Sequence, residues 1–224
     1  MTMHILESYD EDLKQANSLI ALMFGHAEKM LADAITAMEE RDVKLAQDII
    51  QSDKKLNHMQ VTAENASIDI VARRAPVADD LRETIGILKV AQMIERIGDY
   101  AKGIAKRTID LAETDYTATP EPVKRLGQEA SLMYKKISEA YLLRDNKAAL
   151  KVWENNNHLG SLYDAAYRNI MSMMMEAPDK IATFSHFLTI AKNLERIGDQ
   201  SSNISETIHY VVTGQDVEEM RQQR

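Results

Sequence analysis

The sequence predicts an all-α protein: two tandem antiparallel three-helix bundles, six long helices in total, related by a pseudo-twofold internal repeat. Three observations carry that prediction. The 224 residues include only eight Gly and four Pro and are 45 % hydrophobic, with the abundance of Ala, Leu, Ile, Met, Glu, Lys and Gln that favours helices. Apolar residues recur in alternating steps of three and four, the seam of packed amphipathic helices. The pentapeptide Glu-Arg-Ile-Gly-Asp occurs at 95–99 and again at 195–199.

The first helix carries Leu13, Ala16, Ile20, Met23, Ala27, Met30, Ala34 and Ala37 on one stripe, with Ser8 or Asp10 as the expected N-cap. The second follows Arg41-Asp42 and runs Leu45, Ile49, Leu56, Met59, Ala63, Ala66, Ile70 until Pro76. Proline disfavours helical geometry in the residue before it. The third carries Ile87, Val90, Ile94, Ile97, Ala101 and Ile104, and with them the first pentapeptide. Polar residues and two prolines over 113–122 break the period and connect the halves.

The pattern then restarts. Val123, Leu126, Ala130, Met133, Ile137 and Ala140 mark a fourth helix, and Val152, Leu159, Tyr163, Ala166, Ile170 and Met173 a fifth. The sixth, from Phe187 through Ile190, Leu194, Ile197, Ser201, Ile204, Ile208 and Val211, holds the second pentapeptide and ends at Gly214, a natural C-cap. Pro76 precedes Glu95 by 19 residues and Pro178 precedes Glu195 by 17. The expected organisation is a first repeat over 1–112, a connection over 113–122, a second repeat over 123–214 and a tail over 215–224.

The formal net charge of −8 argues against nucleic acid as a partner, since phosphate backbones need a concentrated basic face. Arg73-Arg74 and Lys102/Lys106-Arg107 read as solvated helix faces. There is no cysteine, which excludes disulfides and thiolate sites and fits an intracellular protein. The opening residues lack a signal-peptide pattern, and no apolar run is long enough for a spanning helix. A cytoplasmic protein is expected.

Within each pentapeptide two carboxylates sit one turn apart around a glycine. Like charges at that spacing cost a few tenths of a kcal/mol and an interior Gly costs ~1 kcal/mol, so something outside the helix must offset both. Carboxylate pairs on helix faces present hard oxygens to a cation, and the glycine would admit a neighbouring helix or an ion with its waters. The second helix offers Asp53 and Asn57, one turn apart, with Gln60 and Glu64 further along, to face Glu95 and Asp99. The matching places in the second half hold Asn156 and Gly160, facing Glu195 and Asp199. The competing reading is a salt-bridged surface, with Arg96 or Arg82 satisfying the carboxylates; exposed pairs of that kind contribute roughly 0–1 kcal/mol.

Other motifs carry less. Glu206-x-x-His209 is half of a di-iron bundle motif that needs two such pairs. The remaining histidines are scattered singly, and Met171, Met173, Met174 and Met175 read as core filler and adaptable contact surface. No phosphate loop, nucleophile elbow or zincin motif is present, so no enzyme is expected.

Two segments, ARRAPVADDLRETIGILKVAQMIERIGDYAKGIA and IAKNLERIGDQSSNISETIHYVVTG, closely resemble the signature segments of PhoU proteins, accessory regulators of phosphate-specific transport. The similarity spans nearly the whole chain, including Asp-Lys-Lys-Leu-Asn from Asp53. The resemblance implies a regulator of phosphate homeostasis, cytoplasmic or peripheral to the membrane, often a homodimer, that restrains uptake and phosphate-starvation signalling. It implies a Pst-type phosphate ABC transporter and a PhoR-type sensor histidine kinase as partners, and metal (Fe, Zn, Mn or Mg) held by acidic motifs on neighbouring helices. Residue by residue, the metal set would be Asp53, Asn57, Glu95 and Asp99 in the first half and Glu195 and Asp199 in the second. Asn57 is an amide where the family has a carboxylate, and Asn156 and Gly160 depart likewise. The alternative is a metal-independent helical adaptor that docks a basic partner on its acidic face.

Overall fold

The computed structural model describes residues 2–116 and 118–217, with side chains from residue 9 onward. Its elements are α1 (Thr2–Glu40), α2 (Val43–Arg74), α3 (Ala78–Ala112), α4 (Glu121–Leu142), α5 (Asn146–Glu176), a 3-10 turn at Pro178–Lys180 and α6 (Ile181–Thr213). The predicted seams are the buried faces: every seam residue of the third and fourth helices is buried.

The turns show why the chain reverses where it does. Arg41 takes a left-handed φ of 60° and Asp42 caps α2, its Oδ1 accepting from the Leu45 N–H at 2.9 Å. The second half repeats this with Arg144 at φ 52° and Asp145 capping α5 through the N–H groups of Lys147 and Ala148. In both, the Asp N–H closes back on an alanine carbonyl, Ala37 at 3.0 Å and Ala140 at 2.8 Å. Such closure satisfies carbonyls that a helix end would otherwise leave bare. Pro76 ends α2 and Pro178 ends α5, and Gly214, at φ 72°, donates to the Tyr210 carbonyl as C-cap. At the N-terminus the expectation fails. The first helix begins at Thr2, so Ser8 and Asp10 lie inside it, where Tyr9 donates to the Asp80 carbonyl and Asp12 pairs with Arg74, tertiary contacts of the kind that outweigh a local capping preference.

Each half is an antiparallel three-helix bundle, and the two share one continuous hydrophobic cluster. They join along an antiparallel seam between α3 and α6. At that seam a Cβ on Gly86 would lie 2.5 Å from Val211 Cγ2, and one on Gly103 would lie 2.6 Å from Asn193 Nδ2. The helices therefore approach closely because these positions carry no side chain. Beside this seam α4 meets α1, where the fully buried Tyr134 hydroxyl donates to the Phe24 carbonyl at 3.2 Å. The connection between halves is tied to the end of α1: the Tyr116 hydroxyl and Thr119 Oγ1 both donate to the Met38 carbonyl, and Tyr116 meets Phe187 edge-on at 5.3 Å. The tail residues 218–224 lie outside the described residues.

Candidate functional site: acidic clusters between the second and third helix of each repeat

Asp53 sits where an apolar residue would be expected, on the stripe Ile49–Asp53–Leu56 that α2 turns toward α3. It is 4 % exposed. Its Oδ2 accepts from Lys102 Nζ at 2.7 Å, and the same ammonium reaches Asp99 Oδ1 at 2.8 Å. A buried carboxylate without a partner would be strongly unfavourable, so Lys102 is what permits Asp53 on the seam. The sequence reading placed Lys102 on a solvated face. The structure instead makes it the bridge between α2 and α3, with burial that would lower its pKa outweighed by its hydrogen bonds to Asp53 and Asp99. Arg82, considered for this role, pairs with Asp79.

Around that bridge stand Asn57, whose amide lies 3.5 Å from Asp53 Oδ2, and Glu95. Burial, then the neighbouring charges of Asp99 and Asp53, hold the Glu95 carboxyl above its ordinary range, against the pull of Lys102 and Arg96. Asp53 Oδ1 and Asn57 Oδ1 are buried with no hydrogen-bond partner among the described residues. Two such oxygens are hard donors of the kind Mg2+ or Mn2+ takes. Among the described residues no group of three or more His, Cys, Asp or Glu side chains is arranged to hold an ion. As placed, the side chains of Asp53 and Asp99 hold an ammonium, with Asn57 and Glu95 beside them.

The glycine of the pentapeptide serves packing. A Cβ at Gly98 would run into Leu56 Cδ2, and one at Gly198 into Leu159 Cδ2. Both leucines are fully buried. Of the two visitors the sequence allowed for, it is the neighbouring helix that takes up the space beside each glycine.

The second cluster is built differently. Asn156 donates to Asp199 Oδ1 at 3.4 Å, Arg196 lies 3.7 Å from Asp199, and Glu195 pairs with Lys192. Lys192 also lies 5.0 Å above the Tyr163 ring. Gly160 leaves open space, and a polar cleft of about 380 Å³ opens between Asn156, Asp164, Glu195 and Asp199. Asp164 went unremarked in the sequence; one turn beyond Gly160 on the same helix, its spacing was the available signal.

Glu206 and His209 do not act together. Glu206 accepts from Trp153 Nε1 at 2.9 Å, while His209, buried, has Nδ1 3.1 Å from Asn146 Oδ1. In the methionine run, Met173 and Met174 pack against the core and Met175 is exposed.

Fold and site together define a duplicated helical-bundle protein whose repeated element is an acid-rich junction of second and third helices. The PhoU domain matches residues 20–108 and again residues 123–208, and the chain belongs to the PhoU family. It is 36 % identical to a "Phosphate-specific transport system accessory protein PhoU homolog" of Caulobacter vibrioides over 99 % of this chain and 96 % of that one. A homolog of the same description from Zymomonas mobilis is 37 % identical over 96 % of this chain and 91 % of its own length. The crystal structure of PhoU from Pseudomonas aeruginosa matches at a TM-score of 0.89 and 32 % identity, covering 92 % of this chain and all of that one. The phosphate transport system regulatory protein PhoU of Streptococcus pneumoniae shares the fold at a TM-score of 0.86 and 24 % identity, over 93 % of this chain and 99 % of its own. No helix of the described residues is long and apolar enough to cross a membrane.

Proposed function

We propose that this chain is a non-enzymatic regulator of phosphate homeostasis. It restrains uptake through a Pst-type phosphate ABC transporter and phosphate-starvation signalling through a PhoR-type sensor histidine kinase, by protein-protein contact from the cytoplasmic side. The observation that carries this reading is the near full-length likeness, over both repeats, to relatives whose name is accessory protein of the phosphate-specific transport system. A homodimer is the assembly in which it acts. The test is phosphate uptake and affinity capture in phosphate-replete cells: removing the chain raises uptake, and the tagged chain recovers the transporter and the kinase. Unchanged uptake with neither partner recovered overturns the proposal.

The acidic junction is the candidate control point. A divalent or ferric cation entering at Asp53, Asn57, Glu95 and Asp99 displaces Lys102 and resets the spacing of α2 and α3, the second cluster at Glu195 and Asp199 serving as a weaker counterpart. Two observations support this: the unpartnered oxygens Asp53 Oδ1 and Asn57 Oδ1, and an ammonium already bridging two carboxylates there. Metal content of the purified protein should fall in Glu95→Ala/Asp99→Ala and rise in Lys102→Gln. Equal content in all three, with partner recovery indifferent to chelator, favours the metal-independent adaptor.

A further inference from the structure

On the face that carries the first acidic cluster, the groove between α2 and α3 changes character toward the Pro76 turn. Its register is fixed by two contacts: Lys102 joins Asp99 to Asp53, and Gln92 Nε2 donates to Glu64 Oε1 at 2.8 Å. Four and seven residues past Glu64 on α2 come Ile68 and Val71; seven and eleven before Gln92 on α3 come Ile85 and Leu81. Helical spacing sets all four on the ridges of that one groove. They are not core: Ile68 is 56 % exposed, and Val71, Leu81 and Ile85 are 37 or 38 % exposed. Single apolar side chains on a surface are ordinary, whereas a contiguous patch calls for a cover.

The second repeat keeps the patch while its surroundings change. Aligned on Leu56 and Leu159, Met171 stands at the place of Ile68 and Met174 at that of Val71, and aligned on the pentapeptides, Ile181 stands at that of Leu81. Met171 and Ile181 are exposed too, with Met174 packed partly against the core. Ridge neighbours have diverged, Gln60 against Tyr163, Glu64 against Tyr167 and Ile85 against Ser185. The other end of the α2–α3 groove is negative. Asp53, Glu64, Glu95 and Asp99 have the Lys102 ammonium among them, and Arg96 acts on Glu95 from the side turned to α6, so the carboxylates outnumber the cations. Asp99 is 48 % exposed and within reach of a partner.

We propose that this groove receives an amphipathic helix of the protein partner: an apolar stripe at one end covers Ile68, Val71, Leu81 and Ile85, and lysine or arginine side chains at the other reach Glu64 and Asp99. The proposal rests on the reading that the chain acts by protein-protein contact. A groove between two helices, with no strand edge among the described residues, takes a helix by its apolar face. From Leu81 to Asp99 the α3 ridge runs about 27 Å, or about five turns of a partner helix. An acid-bearing groove repels an anionic lipid surface. A second copy in twofold contact centred on the patch leaves the acids uncovered, and one centred on the groove sets its apolar end against them. A basic amphipathic helix matches both ends.

The test is photocrosslinking in phosphate-replete cells from the full chain carrying benzoylphenylalanine at position 68 or 85, with position 128, exposed on α4, as the control. The expected product is a segment of another protein, shared by 68 and 85 and absent from 128, with apolar residues at helical spacing and Lys or Arg further along. A synthetic peptide of that segment should bind the purified chain, about tenfold or more weakly for Ile68→Ser/Ile85→Ser and for Glu64→Gln/Asp99→Asn, the second loss shrinking at high salt. Should either variant lose its helicity by circular dichroism, the crosslink positions decide. The proposal is overturned if the groove positions crosslink only to lipid, only to a second copy, or no more than the control does. It is overturned too if the peptide binds either folded variant as tightly as wild type. Recovery of the transporter or kinase with no crosslink from the groove sinks this proposal alone, whereas a groove crosslink with unchanged phosphate uptake sinks the regulatory reading alone.

Discussion

Gly98 and Gly25 both sit within helices, yet replacing them with alanine should act in opposite directions. Around Gly25 nothing lies within 4 Å, so Gly25→Ala should gain about 1 kcal/mol of helix stability. At Gly98 the new methyl meets Leu56 in a filled interior, and overpacking of that kind costs about 1–3 kcal/mol, more than the propensity gain. Urea midpoints should rise for the first and fall for the second. Glu95 gives a prediction in pH. Its folded-state pKa is raised, so the ionised form is the disfavoured one, and its contribution to stability is present below the ordinary value of 4.5 and lost as pH rises through the folded value. Glu95→Gln should therefore be more stable than wild type at pH 7, with the gap closing below about pH 4.5. Denaturant midpoints at pH 7 and pH 4 check this; a gap that widens in acid would contradict it.

At the scale of elements, one cation bridges the buried Asp53 of α2 to Asp99 of α3 across their apolar seam. Lys102→Met leaves Asp53 buried and unpaired, and breaking such a pair from one side costs about 3 kcal/mol. Asp53→Asn/Lys102→Met should recover much of that loss, because it removes the stranded charge. A double-mutant cycle in urea measures the coupling. The helices themselves were legible because seams, proline stops and the Arg41-Asp42 reversal are local signals. The Arg144-Asp145 reversal was equally local, visible once the halves are aligned. The start of α1 was not, since its length depends on packing partners: Tyr9 donates to the Asp80 carbonyl and Asp12 pairs with Arg74, both on distant segments. Asp53, Glu95 and Asp99 could be picked from their spacing and from the family resemblance. Lys102 was passed over because its neighbours Lys106 and Arg107 made the stretch look like a solvated face, and only the crossing of α2 over α3 sets it apart.

For the molecule as a whole, the decisive contact is the α3–α6 seam, which no periodicity within one helix can reveal. Gly86 and Gly103 mark it only in hindsight, since a glycine in a helix reads the same whether it admits a neighbour or faces water. With one shared core the two halves should unfold together. A single transition is expected in calorimetry, with van't Hoff and calorimetric enthalpies equal. Gly103→Leu, which forces a side chain into Asn193 across the seam, should lower that one transition for both halves rather than split it.

The seam also sets a minimum size for this architecture. Because α3 and α6 meet antiparallel and belong to corresponding repeats, residues 1–112 on their own would expose the flank that α6 covers, and pairing with a second copy of the fragment in a twofold-symmetric contact is the expected outcome. A fragment cut there should sediment as a pair, and dilution that parts the pair should melt it. Duplication within one chain makes that partnership permanent, so that neither repeat ever has to find the other by diffusion.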